Sequence, residues 1–159
     1  MALGHLHPLP LVVVVVPRLS GKIAPFQYPR GFLAFSYSID GPSRLVTVTV
    51  TGRVTYEEWE SVMRLIFADS RFKPGFDFLS DRRSVDEPPD GESVRRGMAF
   101  FEIERLQLGS CRWALVVTGA AGYGMGRMSE SLSAETGVRL RVFTDLTEAC
   151  KWLTPVATD

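Results

Sequence analysis

The stretch RLVTVTVTGRVTYEEWESVMRLIFADSRF, Arg44 to Phe72, changes hydrophobic period in mid-course, and that change bounds the folds open to the chain. Val46, Val48 and Val50 alternate with Thr47, Thr49 and Thr51, the period of a half-buried strand. A few residues on, Trp59, Val62, Met63 and Ile66 recur at helical spacing, with Glu57, Glu60, Ser61 and Arg64 opposite them. Thr55 is a good N-cap, and Glu58 three residues later completes a capping box. A strand that feeds directly into an amphipathic helix points to an α/β protein.

The same switch recurs along the chain. LAFSYSID, Leu33 to Asp40, alternates in the same way, and the turn residues Gly41 to Ser43 join it to the next strand as an antiparallel hairpin. After the turn Lys73–Gly75, FDFLSD predicts a third strand over Phe76 to Asp81, and RRSVDEPPDGE reads as a polar loop. A second helix is expected from Asp90–Ser93 to about Leu106, with Val94, Met98, Phe101 and Leu106 on its apolar side. CRWALVVTG is a nearly continuous apolar run, the pattern of a strand covered on both faces. The glycine-rich stretch TGAAGYGMGRMSES reads as a loop leading into a helix with Met125, Met128 and Leu132, closed by Gly137. VRLRVFTD is a fifth strand, and DLTEACKWL a last helix with Asp145 as N-cap and Glu148 as its capping-box partner. The expected architecture is a five-stranded mixed sheet with four helices. Its first strand is antiparallel through the hairpin and the rest are parallel with right-handed crossovers.

Length and charge narrow the class further. A chain of 159 residues suits one core, expected over residues 32–154, with an N-terminal extension over 1–31 and a short tail over 155–159. Eighteen basic residues balance eighteen acidic ones, so there is no global electrostatic reason to expect nucleic acid or an acidic membrane as partner. The apolar run Leu9–Val16 is bracketed by prolines and falls short of the roughly 20 residues a membrane span requires. Met1 to His7 has no Lys or Arg, unlike a secretory signal, and a cytoplasmic location is expected. The extension either stays poorly anchored or adds a strand, and its valines suit pairing with a sheet edge on another copy, which makes a homodimer one expectation. Cys111 and Cys150 are read as buried free thiols, and His5-x-His7 has no third ligand nearby, so no metal or other cofactor is expected.

The glycine stretch invites a comparison with phosphate-binding loops. From Gly122 it reads G-Y-G-M-G-R, which fails the G-x-G-x-x-G fingerprint at Arg127. From Gly119 it fails the P-loop pattern because Met125 stands where lysine belongs. Its place after a buried strand still favours ligand contact. Asp81, Arg83, Ser84, Gly122, Tyr123, Gly124 and Arg127 are therefore candidate ligand- or partner-binding residues, with Arg82 beside them on the same edge. An anion held by Arg83, Arg127 and glycine amides is the sharper reading. Close packing of Gly122, Gly124 and Gly126 against a neighbour, with Arg127 paired to an acid such as Asp81, is the simpler one. No catalytic set is expected, since both histidines lie in the extension. Asp86 or Glu87 beside Asp81 reads as a solvated acidic segment rather than a reactive carboxylate pair.

Taken together, GRVTYEEWESVMRLIFADSRFKPGFDFLSDRR, GAAGYGMGRM and VRLRVFTDLTEACKWL resemble the SpoIIAA-like, or STAS/Sec14-type, small bacterial domains, over roughly Phe35 to Leu153. The resemblance implies a β-α superhelix that acts in signalling as a switch or docking module without catalysis. Better-studied members are phosphorylated at a D-S-[S/T]-G motif after the third strand. Asp81 matches the strand-ending acid of that motif, but SDRRSVDEPPDGES follows it, so Ser84 and Ser93 are the nearest phosphorylation candidates. Three functions follow. The first is docking of a protein partner. The second, from the Sec14 side, is carriage or sensing of a small apolar or anionic ligand between helices bearing Met98, Phe100, Phe101, Met125 and Met128. The third is an enzyme using Asp81 and Arg127.

Overall fold

The computed structural model describes residues 12–14 and 35–154. The hairpin forms as its alternation requires. β2 (Phe35–Asp40) and β3 (Leu45–Gly52) pair antiparallel, with Phe35 opposite Val50 and Tyr37 opposite Val48. Their valines and aromatics are buried on one face, and Ser36, Ser38, Thr47 and Thr49 are half-buried on the other. β4 (Asp77–Val85), β5 (Cys111–Val116) and β6 (Val138–Phe143) then follow in parallel, each beside the strand before it. The five expected strands are therefore present with the expected pairing. A sixth, β1 (Val12–Val14), adds antiparallel to the outer edge of β2, with Val13 opposite Ser36. The extension thus contributes the added strand that was one of its two expected states. Leu33, Ala34, His5, His7 and the rest of the extension lie outside the described residues, as does the tail over 155–159.

Sequential strand order places the crossover helices together. α1 (Tyr56–Ala68) buries Val62, Met63 and Ile66, and α2 (Gly91–Ile103) buries Phe100 and Phe101, all in one cluster with Phe35, Val48, Phe78, Trp113 and Leu140. α4 (Gly119–Leu132) lies on the same face, against β6. α5 (Leu146–Leu153) covers the reverse face, where Ala149 and Leu153 meet Leu79, Ala114 and Val116. β5 is thus packed on both sides, as its apolar run requires. Each large apolar side chain buried this way stabilises by roughly 1.5–3 kcal/mol. Arg112 joins the layers. Its guanidinium donates to Asp77 Oδ2 at 2.6 and 3.0 Å and to the carbonyls of Trp152 and Leu153 at 2.9 and 2.7 Å, which closes the C-terminal end of α5.

Helix starts follow the local code. Thr55 and Glu58 form both halves of a capping box, and Asp90 and Asp145 accept from the amides of Ser93 and Glu148. At α5 the second half of the box is replaced by an ion pair, since Glu148 binds Lys151 at 2.9 Å. α4 passes into a 3₁₀ turn, Ser133–Glu135, before Gly137 at φ +82° reverses the chain.

Four expectations need correction. The second helix breaks at Glu104 and resumes as α3 (Arg105–Leu108). The break turns Leu108 into the core and leaves Leu106 91% exposed. Gly109 makes this possible: it sits at φ +66°, and a Cβ there would strike the backbone of Gly75. The third strand does not end at Asp81. It runs to Val85, because Ser84 and Val85 continue to pair with Thr51 and Gly52 after one extra residue is absorbed at Arg82–Arg83 opposite Val50. β5 pairs with β4 only as far as Asp81, so this last part of β4 has one neighbour and accepts polar residues. The glycine stretch is not a loop; it is helical from Gly119 onward. Finally, Cys150 is exposed, while Cys111 is buried.

The glycines of α4 differ in what surrounds them. A Cβ at Gly126 would collide with Cγ2 of Val142, whereas Gly124 has nothing within 4 Å. Gly126→Ala is expected to lower the unfolding free energy by about 1–3 kcal/mol. Gly124→Ala should raise it by up to about 1 kcal/mol. Urea denaturation of the two variants checks this pair of opposite signs.

Candidate functional site

A cleft of about 530 Å³ opens on the helix-bearing face, at the C-terminal ends of β4 and β5. Open α/β sheets place ligands at this end of their strands. Three layers of residues build it. Ser80 and Arg82 of β4, Trp113 and Leu115 of β5 and Leu140 of β6 form the floor. Tyr56 and Trp59 of α1, with Val94, Gly97, Met98 and Phe101 of α2, form one wall. Thr118 to Gly122, Met125, Gly126 and Ser129, along α4, form the other. Asp86, Glu87 and Asp90 border it from the connection between β4 and α2.

The apolar part of the cleft is held by aromatic packing. Phe78 stacks on Trp113 at 4.3 Å between ring centres, and Phe101 lies 4.9 Å from Trp113. Trp59 meets Phe100 and Phe101 edge-on at 5.2 and 6.0 Å. Such offset and edge-on pairs fix ring orientation and add about 0.5–1.5 kcal/mol each beyond the area they bury. The N-termini of α1, α2 and α4 all border the cleft. Thr55 caps the first and Asp90 the second, while Thr118 makes no side-chain cap for the third.

The expected site residues are distributed unevenly about this cleft. Gly122 and Ser93 line it, and the Ser93 amide donates to Asp90 Oδ1 at 2.7 Å. Asp81, Arg83, Ser84, Tyr123, Gly124 and Arg127 do not line it. Asp81 and Arg83 close on one another, with the guanidinium donating at 2.8 and 2.9 Å, and these bonds hold the Asp81 carboxyl below its usual range. Arg127 pairs with Glu130 at 2.7 Å on its own helix, rather than with Asp81. Arg83 and Arg127 are therefore each occupied by a local acid, and no anion site is assembled from them. The amides of Gly124 and Gly126 lie inside the helix, beyond the first four groups that a helix leaves free. Ser84 is an exposed strand residue and not part of a helix start.

Of the residues expected between two helices, Met98, Phe101 and Met125 line the cleft, Phe100 belongs to the core and Met128 lies outside the lining. Ser80, Trp113, Arg82 and Trp59, none of them among the expected ligand contacts, also line the cleft. The signal for Arg82 was its parity. It stands two residues from Ser80 and four from Phe78, and so falls on the helix face, whereas Asp81 and Arg83 alternate with it. Burial lowers the Arg82 guanidinium to about 10, and no acid contributes to that shift.

Among the described residues no group of three or more His, Cys, Asp or Glu is placed to hold a metal ion, and no helix is long and apolar enough to cross a membrane. No family model matches the chain, and no curated protein matches it. A solved structure does. It is an uncharacterized protein from the DUF3478 family with a SpoIIAA-like fold, from Shewanella loihica PV-4. It superimposes with a TM-score of 0.50 at 16% identity, over 69% of this chain and 84% of that one. The likeness is one of fold, and the chain has a SpoIIAA-like fold.

The two thiols provide a check on burial around this scaffold. Burial, with a smaller contribution from Asp77, pushes Cys111 up to about 12, which keeps it a thiol at neutral pH. A thiol-reactive dye is expected to label Cys150 alone in the native protein and both cysteines after unfolding in urea, read by intact mass.

Proposed function

We propose that this chain is a non-enzymatic module that binds a small, largely apolar ligand in the cleft between α2 and α4, as a carrier or a sensor. The cleft itself carries the reading. Its volume of about 530 Å³ falls within the range of small-molecule sites, and its walls combine aromatic and aliphatic side chains with a few polar groups. None of its lining residues is a histidine or a cysteine, and Asp81 and Arg127 lie outside it. These placements favour binding over catalysis. Three helices border the cleft, so a ligand held there touches each of them and its occupancy reaches the surfaces they present. That coupling is the physical content of a switch: a ligand shifts an equilibrium only by contacts that differ between two states.

Protein docking is the second reading, favoured by the α2–α3 break. Ile103 and Leu106 are 78% and 91% exposed there, although both are large and apolar. Partner binding through this surface would weaken on Leu106→Glu and leave the cleft unaffected.

Trp59 and Trp113 both line the cleft, so intrinsic fluorescence reports its occupancy. Titration with 1-decanol is expected to change that fluorescence saturably. Met125→Trp, which fills the cleft from α4, should weaken binding by about tenfold or more, a loss of roughly 1.4 kcal/mol. Native mass spectrometry of freshly purified protein is expected to show an added apolar mass. Absence of both signals in the folded wild type would sink the reading.

A further inference from the structure

The cleft is lined by one cation with which no described acid pairs. Arg82 lines it from β4, and its guanidinium makes no hydrogen bond, ion pair or ring contact with any described residue. Arg139 also lacks such a partner, but it is exposed to solvent. Arg82 is half-buried in the cleft lining, and the protein around it lowers its pKa while it remains a cation at neutral pH. The first 34 residues contain neither Asp nor Glu. A cation drawn partly out of water without a counter-charge is destabilising. Strain of this kind recurs where a site is made for a ligand.

The surroundings of Arg82 complete a head-group site. Ser80 is 3% exposed, lines the same cleft, and makes no hydrogen bond to a described residue. The N-terminus of α4 borders the cleft without a side-chain cap, so its free amides and the positive end of its dipole favour an anion there. Asp86, Glu87 and Asp90 border the cleft as well, and Asp86 has no side-chain partner among the described residues. These acids oppose a second negative charge on the ligand. Beyond the head group, Trp59, Met98, Phe101 and Trp113 present apolar surface.

Resting on the reading that the cleft binds a small apolar ligand, we infer that the ligand is a monoanionic amphiphile, a carboxylate on an apolar body. Its head is paired by the Arg82 guanidinium, with the Ser80 hydroxyl beside it. A planar guanidinium meets a carboxylate through two parallel N–H···O bonds, and such charged bonds are among the strongest a protein makes.

The test titrates the full chain with decanoate and with 1-decanol at neutral pH, following tryptophan fluorescence. The wild type should bind decanoate about tenfold or more tightly than decanol. Arg82→Gln should abolish that preference while keeping decanol affinity within about threefold. Without ligand, Arg82→Met should melt about 3 °C above the wild type, because an unanswered charge has been removed. Equal wild-type affinity for the two probes, or a preference that survives Arg82→Gln, overturns the inference and leaves the cleft reading standing. A melting temperature that falls on Arg82→Met overturns it too, by showing the guanidinium already paired. Failure of both probes to bind the wild type removes the cleft reading itself. Should Arg82→Gln fail to fold, the wild-type comparison of the two probes decides alone.

Discussion

The stack of Phe78 on Trp113, 4.3 Å apart across β4 and β5, is the contact from which the helix face is organised. Both rings are fully or nearly buried, and they present one flat apolar floor. Phe101 of α2 rests against it, and Trp59 of α1 then closes on Phe100 and Phe101. The two helices are thereby set over the N-terminal side of the sheet. α4 is set by the close approach of Gly126 to Val142 on β6 and also touches α2. The cleft is the space left between these two anchor points. It is a consequence of large rings on one side and an absent side chain on the other, since interiors are packed too closely to leave such volume by accident.

The reverse face obeys a different economy of contacts. Among the described residues α5 covers it, over β4 and β5, and the Arg112 clamp to Asp77 and the last carbonyls of α5 fixes where that helix ends. Arg112 and Arg82 show the two fates of an arginine on a sheet. One is surrounded by acceptors and holds elements together, and the other faces a cleft without any described acceptor. Only the first is explained by stability, because hydrogen bonds to charged groups stabilise while a partly buried charge left unanswered does the reverse.

Much of the fold was legible in the chain. The hairpin, the capping box at Thr55–Glu58, the apolar stripe of α1 and the two-sided burial of β5 are written in local period and local hydrogen-bonding chemistry. The misreadings share a cause. Leu106 has helical spacing with Phe101, but the chain needs Leu108 in the core and breaks at Glu104 to deliver it. Arg82, Arg83 and Ser84 look like loop residues, but the free end of β3 extends the ladder to them. Gly119 to Gly126 look like a loop, but the helix gains from close approach to Val142 what it loses in propensity. Of the residues expected at the site, Gly122 and Ser93 line the cleft, while Arg83 and Arg127 do not. Attention fell on Arg83 and Arg127, each of which has a carboxylate within reach on its own element.

The sequence by itself determined the class, the element order, most helix starts and the pairing of the five main strands, because those depend on periodicity and on groups within a few residues of one another. Tertiary structure decided which arginine is left without an acid, where the second helix breaks and how much space remains between α2 and α4. Those outcomes depend on distances between residues far apart in the chain. Whether a buried charge is answered is settled by every element that packs around it, and no local pattern contains that information.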